Sequence, residues 1–326
     1  KKFKNNKNTH GKIRKDSSIL KKYIDKINKN VNIDKKIKVI IDCANGATGV
    51  AAKKVFESFG MKPIILNENV DGNFPNHPPN PSDENNLLEL KENIIKTGAD
   101  IGIAYDGDGD RVVVIRKDGS VLWPDELLML FSKNILKDKP KSKIIFDVKC
   151  SKNLEKIIYK NNGIPIVSRT GHSFIKKKME DEKAILGGEM SGHIFFADKW
   201  DGYDDGIYSS LRLLEIISSS EKNYKILFDI PTSYTTPEIN IPFNNNKHFT
   251  FMKLFVKLAK FKGAEIIDID GLKIIYPDSW GLIRCSNTTS NLVLRFEGDN
   301  MDSLKNIQSI IKNAMLEIDN TLQLPF

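Results

Sequence analysis

The run Lys38–Asp42 (KVIID) returns later in the chain as Lys143–Asp147 (KIIFD), and each copy is followed by the same kind of sequence. After the first come a Gly/Asn turn, a helical stretch Val50–Phe59, Gly60, Pro63 and an apolar strand Ile64–Leu66. After the second come a helical stretch Leu154–Tyr159, Gly163, Pro165 and the strand Ile166–Val167. Strand, helix and strand in that order define a parallel βαβ unit with a right-handed crossover. Each copy then runs through an apolar strand into a Gly-rich polar loop: ADIGIAY into DGDGDR, and AILG into GEMSGH. The expected fold class is therefore α/β, with two repeated mixed α/β domains over residues 18–120 and 121–232, joined near Gly119–Val121. Asn69–Asp83 is rich in Pro and Asn and reads as a loop inside the first copy. Beyond Pro231 the alternation stops. An amphipathic stretch Phe251–Lys260, strands Ile274–Tyr276 and Leu292–Phe296, and a helix Ser303–Ile318 predict a separate C-terminal α+β domain over residues 233–326.

Charge and cysteine usage narrow the function classes. Residues 1–38 carry fourteen Lys/Arg and three Asp, a net +11, whereas the whole chain of 326 residues is only +8. The body is thus not basic, and only 7 of the 50 basic residues are Arg, the side chain best suited to phosphate forks and base edges. A solvated Lys-rich helix (SSILKKYIDKINK) accounts for the basic arm, and neither a nucleic-acid nor a membrane partner is expected. No apolar run approaches the roughly 18–20 residues of a membrane helix. Cys43, Cys150 and Cys285 lie far apart without a C-x-x-C pair, which excludes a disulfide scaffold or structural zinc site and favours the reducing cytoplasm.

The sharpest chemical signal is Asp106-Gly107-Asp108-Gly109-Asp110-Arg111, set between the apolar strands IGIA and VVVI. Glycines permit a tight turn, and three converging carboxylates repel one another unless a cation joins them. A hard, oxygen-liking ion such as Mg²⁺ fits, with coordination positions left for a phosphate oxygen or water. The loop is not an EF-hand, because its sixth position is Arg111 in place of Gly and its twelfth is Lys117 in place of Glu. Gly188–His193 presents Glu189, Ser191 and His193: an acceptor, a hydroxyl and an imidazole, a set able to read sugar hydroxyls. By itself that loop reads equally as a plain turn. Arg284–Thr289 combines one Arg with hydroxyls and an amide, a phosphate cradle or simply a polar turn. Lys149 and His172 add positive charge near these loops or serve the fold alone. His10, His77 and His248 sit in polar stretches and receive no role.

Taken together, CANGATGV, DGNFPNHPPNP, DGDGDR, FDVKC, TGHSFIKKKM, GEMSGH, DDGIYS, TPEIN, WGLIRCSNTT and LVLRFEG resemble the α-D-phosphohexomutase family, in its bacterial mannose/glucose branch, over nearly the whole chain. GEMSGH and DGDGDR stand where the glucosamine-phosphate branch would read GEQSGH and DGDADR. The resemblance implies that Asp106, Asp108 and Asp110 bind one Mg²⁺, with Arg111 beside the reactive phosphate. It implies further that Glu189 and Ser191 read the 3- and 4-hydroxyls, that His193 is placed for proton transfer, and that Lys149 and His172 line the cleft. Arg284, Ser286, Asn287 and Thr288 would hold the non-reacting phosphate, with Ser290 replacing the Pro usual there. The implied activity interconverts the 1- and 6-phosphates of mannose or glucose through an enzyme phosphoserine and a 1,6-bisphosphate, in a monomer.

One part of the family pattern does not occur here. Its catalytic serine lies in a T-x-S-H-N-P loop of an N-terminal domain, and Asn76-His77-Pro78 lacks that serine. The resemblance starts near Asn8–Ser18, so residues 1–17 are expected to be the remnant of such a domain. With Lys1 as first residue, the expectation is a fragment, inactive as a mutase by itself. The competing readings are a non-catalytic sugar-phosphate binder and, more remotely, a phosphatase with Asp106 as nucleophile.

Overall fold

The computed structural model describes residues 13–243, 247–286 and 289–326. Its elements in chain order begin with α1 (Ile19–Asn30), β1 (Val39–Asp42), α2 (Ala52–Glu57), β2 (Ile64–Leu66), α3 (Leu88–Thr97), β3 (Ile101–Tyr105), β4 (Val112–Arg116) and β5 (Val121–Leu122). The second copy holds α4 (Pro124–Asp138), β6 (Lys143–Asp147), α5 (Lys152–Lys160), β7 (Ile164–Ser168), α6 (His172–Glu182), β8 (Leu186–Gly188), β9 (Ile194–Phe196) and α7 (Gly206–Ser219). The C-terminal region adds β10 (Tyr234–Thr235), β11 (Ile239–Pro242), α8 (Lys247–Leu258), β12 (Glu265–Ile267), β13 (Leu272–Tyr276), β14 (Ser279–Cys285), β15 (Asn291–Gly298) and α9 (Met301–Ile318).

The two copies build the same sheet. The first runs β2-β1-β3-β4-β5 and the second β7-β6-β8-β9. In each, the KVIID-type strand pairs in parallel with a strand on either side, and the next strand returns antiparallel. Period-2 alternation divides each central strand between two layers. Ile40 packs under α3 with Leu90 and Ile94, and Ile145 packs under α6 with Ile175 and Met179. Ile41 and Ile144 face the opposite way into one core shared by both copies, which also takes in Leu128, Phe131, Phe196 and Tyr208. The C-terminal sheet, β10-β15-β14-β13-β12 with β11 also on β15, is antiparallel and packs its own core against α8 and α9. Val148 with Trp280 and Leu282 forms a small apolar contact between the second copy and that sheet.

Three local expectations change. Val50–Phe59 is not one helix: a 3₁₀ turn at Ala47–Val50 precedes α2, because Ala47 N–H donates to Gly107 O at 2.9 Å and ties the turn to the neighbouring loop. The first sheet continues past Gly119, since Val121 pairs with Ile115 and Leu122 with Val114. The Lys-rich helix α1 is not simply solvated. Ile27 is buried, Lys26 lies over the Trp200 ring at 4.5 Å, and Tyr23 Oη donates to Asp205 at 2.9 Å. Asp205 in turn caps α7 by accepting from Tyr208 N–H at 2.9 Å.

Candidate active site

Both Gly-rich loops leave from the same end of their sheets, after β3 and after β8, and they meet. Val112 N–H donates to Gly192 O at 3.2 Å, and Arg111 and His193 form an isolated antiparallel bridge. Gly206 N–H, at the start of α7, donates to Gly109 O at 3.0 Å. Glycine is required at both turns: Gly109 has φ +82° and Gly192 φ +110°.

In the first loop, carboxylate oxygens of Asp106, Asp108 and Asp110 lie within 4.8 Å of one another. Asp106 is buried and accepts from Gly109 N–H at 3.0 Å, Arg111 N–H at 3.1 Å and Arg111 Nε–H at 2.6 Å. Burial pushes its pKa up, against the pull of Arg111. Asp108 is exposed, so the cluster opens outward. Three oxygen donors on a tight turn, one of them open to solvent, suit a small hard cation.

His193 joins the two loops. Its Nδ1 lies 2.9 Å from Glu189 Oε2 and its Nε2 lies 3.3 Å from Asp110 Oδ1. Burial opposes the imidazolium, but the two carboxylates prevail and push the pKa up to about 9. The same contact holds Asp110 below the usual carboxylate range. Burial would raise Glu189, yet the bonds from His193 and Gly171 N–H hold it low. Ser191 Oγ is 3.0 Å from His193 Nδ1 and 3.4 Å from Glu189 Oε2. His172, at the start of α6, places its ring centroid 5.5 Å from that of His193, with Nδ1 3.8 Å from Asp204 Oδ2.

Lys149 sits on the turn after β6, and its buried Nζ lies 2.6 Å from Glu238 Oε1. Burial disfavours the ammonium, but Asp147 and Glu238 outweigh it and raise its pKa. Arg284 Nε donates to Asp270 Oδ2 at 3.0 Å, and the same oxygen accepts from Thr170 N–H at 3.0 Å. Arg284 is thereby tied to the turn that precedes His172. Ser286 Oγ accepts from Thr289 N–H at 3.1 Å. Asn287 and Thr288 lie outside the described residues.

Sequence reasoning missed the second partners. Asp204 and Glu238 lie in DDGIYS and TPEIN but receive no role there, and Asp270 comes from a polar segment outside those motifs. Asp147 did carry a signal, as the counterpart of Asp42 at the end of the repeated strand. Asp147 accepts from Thr170 Oγ1 at 3.0 Å and Met190 N–H at 3.2 Å, and Asp42 from His77 Nε2 at 2.9 Å and Ala44 N–H at 2.9 Å.

Family models match in the same order as the sheets. Phosphoglucomutase/phosphomannomutase α/β/α domain II matches residues 21–119, α/β/α domain III residues 123–234 and the C-terminal domain residues 238–314. The chain belongs to the phosphoglucomutase/phosphomannomutase family. It is 46% identical over 310 residues to the phosphomannomutase/phosphoglucomutase of Pseudomonas syringae pv. tomato, covering 95% of this chain and 67% of that protein. A phosphoglucomutase of Neisseria gonorrhoeae is 45% identical over 298 residues, covering 90% of this chain and 64% of the relative. Among solved structures, a phosphoglucomutase/phosphomannomutase family protein from Burkholderia thailandensis superposes with a TM-score of 0.89 at 39% identity, covering 94% of this chain and 66% of that one. The chain thus spans about two thirds of the length of these family members. Among the described residues no helix is long and apolar enough to cross a membrane.

Proposed function

We propose that this chain supplies the metal, sugar and phosphate loops of a mutase that interconverts the 1- and 6-phosphates of mannose and glucose. The observation that carries the reading is His193, held between Asp110 of the acidic loop and Glu189 of the polar loop, which makes one site of two loops from different sheets. Asp106, Asp108 and Asp110 would hold Mg²⁺, which when bound would place positive charge on the phosphoryl oxygens during in-line transfer. Arg111 is gripped at Nε by Asp106 and reaches Asn80 Oδ1 through Nη1 at 3.4 Å, and it would stand beside the same phosphate. Glu189 and Ser191 would accept from and donate to the 3- and 4-hydroxyls, which mannose and glucose share. His193, set between the two carboxylates, would be the group placed to move a proton to or from the sugar hydroxyls. Lys149, kept charged by its carboxylate neighbours, would serve as a fixed cation, with His172 lining the cleft.

Arg284 and Ser286, with Asn287 and Thr288, would hold the phosphate that is not reacting. Glucose or mannose 1,6-bisphosphate would be the intermediate and activator. No serine of these 326 residues stands in a T-x-S-H-N-P sequence, so the phosphoryl donor is assigned to a serine outside them. The three unpaired cysteines fit a reducing, cytoplasmic setting. The test is to assay the purified 326-residue chain with mannose 1-phosphate, Mg²⁺ and a 1,6-bisphosphate. Saturable binding without turnover is expected; turnover would refute the external donor, and failure to bind any hexose phosphate would refute the phosphosugar site.

A further inference from the structure

The turn Asp147–Ser151 carries Lys149, and its three middle carbonyls face the C-terminal sheet and not their own domain. Lys273 Nζ, on β13, donates to Val148 O at 2.8 Å and Cys150 O at 3.1 Å. Arg295 Nη1, on β15, donates to Lys149 O at 2.6 Å. Three successive carbonyls are thus capped by two cations of the C-terminal sheet, both buried. The Lys149 ammonium itself is held by Glu238, from the same region. From the second copy, Asp125 accepts Ser151 N–H at 3.0 Å and lies 3.6 Å from Arg295 Nη2.

We infer that Lys273 and Arg295 are positioning residues for Lys149: by fixing the backbone of its turn, they make the cation in the cleft depend on docking of the C-terminal sheet. This rests on the phosphosugar reading of the cleft. Two further observations support it. The Lys273 ammonium is desolvated, lies 3.9 Å from the Trp280 ring centroid and has its pKa lowered to about 8. Such a buried charge is a poor source of stability, since an apolar side chain of similar volume often packs as well or better. And Trp280, which holds that ammonium from below, also packs on Val148, so one aromatic side chain sets the height of both the donor and its acceptor. Without the caps the carbonyls would be buried and unsatisfied, and the turn would rearrange.

The test is calorimetric binding of glucose 1,6-bisphosphate, with Mg²⁺, to the full chain and to Lys149→Ala, Lys273→Met, their double variant, Lys273→Arg and Arg295→Lys. Amide exchange over residues 148–151 is measured on the same samples without ligand. Expected are losses of about tenfold or more for Lys149→Ala and for Lys273→Met, and a double variant no weaker than either single one. Lys273→Arg should recover most of the affinity, and Lys273→Met should speed exchange in the turn while β13 and β14 stay protected. A Lys273→Met chain that binds within twofold of wild type beside a crippled Lys149→Ala, or a multiplicative double variant, overturns the inference and leaves the phosphosugar reading standing. So does unchanged exchange. A wild-type chain that does not bind overturns that reading and the role of Lys149 together. If Lys273→Met fails to fold, Arg295→Lys, which keeps the charge but removes the Nη1–H donor to Lys149 O, decides by the same thresholds.

Discussion

The two α/β copies begin alike and end differently. Both central strands close on a buried aspartate, Asp42 or Asp147, whose carboxylate fastens the strand end to the loops beside it. In the first copy the fastener is His77, and the loop after β3 is free to crowd three carboxylates on a glycine turn. In the second copy Thr170 takes that place, and the loop after β8 has one carboxylate with a hydroxyl and an imidazole. One scaffold thus carries a loop of three carboxylates and a loop of mixed polar groups, and the bridge between Arg111 and His193 puts them side by side. The lesson is that chemistry here is assigned by a few loop residues while the sheet only sets where the loops meet.

The division can be broken by substitution, starting with the largest effect. Glu189→Gln should weaken mannose 1-phosphate binding by roughly 30–150-fold, about 2–3 kcal/mol for lost charge-assisted bonds, while leaving Mg²⁺ affinity within about twofold. Calorimetry with each ligand separates the two, and equal losses would mean the loops do not divide the task. Next come the loop glycines. A Cβ on Gly192 would lie 3.0 Å from the Val112 carbonyl oxygen, whereas one on Gly109 would lie 2.4 Å from the Thr48 methyl, which can rotate away. Denaturant unfolding should show a cost of about 2–3 kcal/mol for Gly192→Ala and about 1–2 kcal/mol for Gly109→Ala.

The fasteners should differ in their response to pH. The hydrogen bond to Asp42 raises His77 to about 9. Its folded pKa lies above that of a free histidine, so its contribution is complete below about pH 6.5 and is lost as pH rises through about 9. His77→Ala should therefore cost about 1–2 kcal/mol at pH 6 and close to nothing at pH 10, read from unfolding curves. Thr170→Val, with no titrating group, should cost about 0.5–1.5 kcal/mol at both pH values. A pH-independent His77→Ala would show that the two fasteners are equivalent.

The repeat, both Gly-rich loops and the course of α9 were legible because each is local: period, turn residues and caps lie within a few positions. Asn300 capping α9 through Ser303 N–H at 2.9 Å is such a case, and it starts the helix two residues before the expected Ser303. The pairings that finish the site were not legible. Lys149 with Glu238 and Thr170 with Asp270 join residues far apart in the chain, and no spacing encodes them. The role of α1 was hidden by its many lysines, although Tyr23 and Ile27 stand one turn apart on the face that docks.

The central claim is that the acidic loop takes the cation and the polar loop does not. Titrating Mg²⁺ into the full chain in a calorimeter, beside Asp108→Ala, Asp110→Ala and Glu189→Gln, tests it directly. The account predicts one Mg²⁺ per wild-type chain, loss of at least about tenfold in affinity in both aspartate variants and no more than about a twofold change in Glu189→Gln. Binding that survives both aspartate substitutions, or no Mg²⁺ binding by a folded wild-type chain, would contradict it.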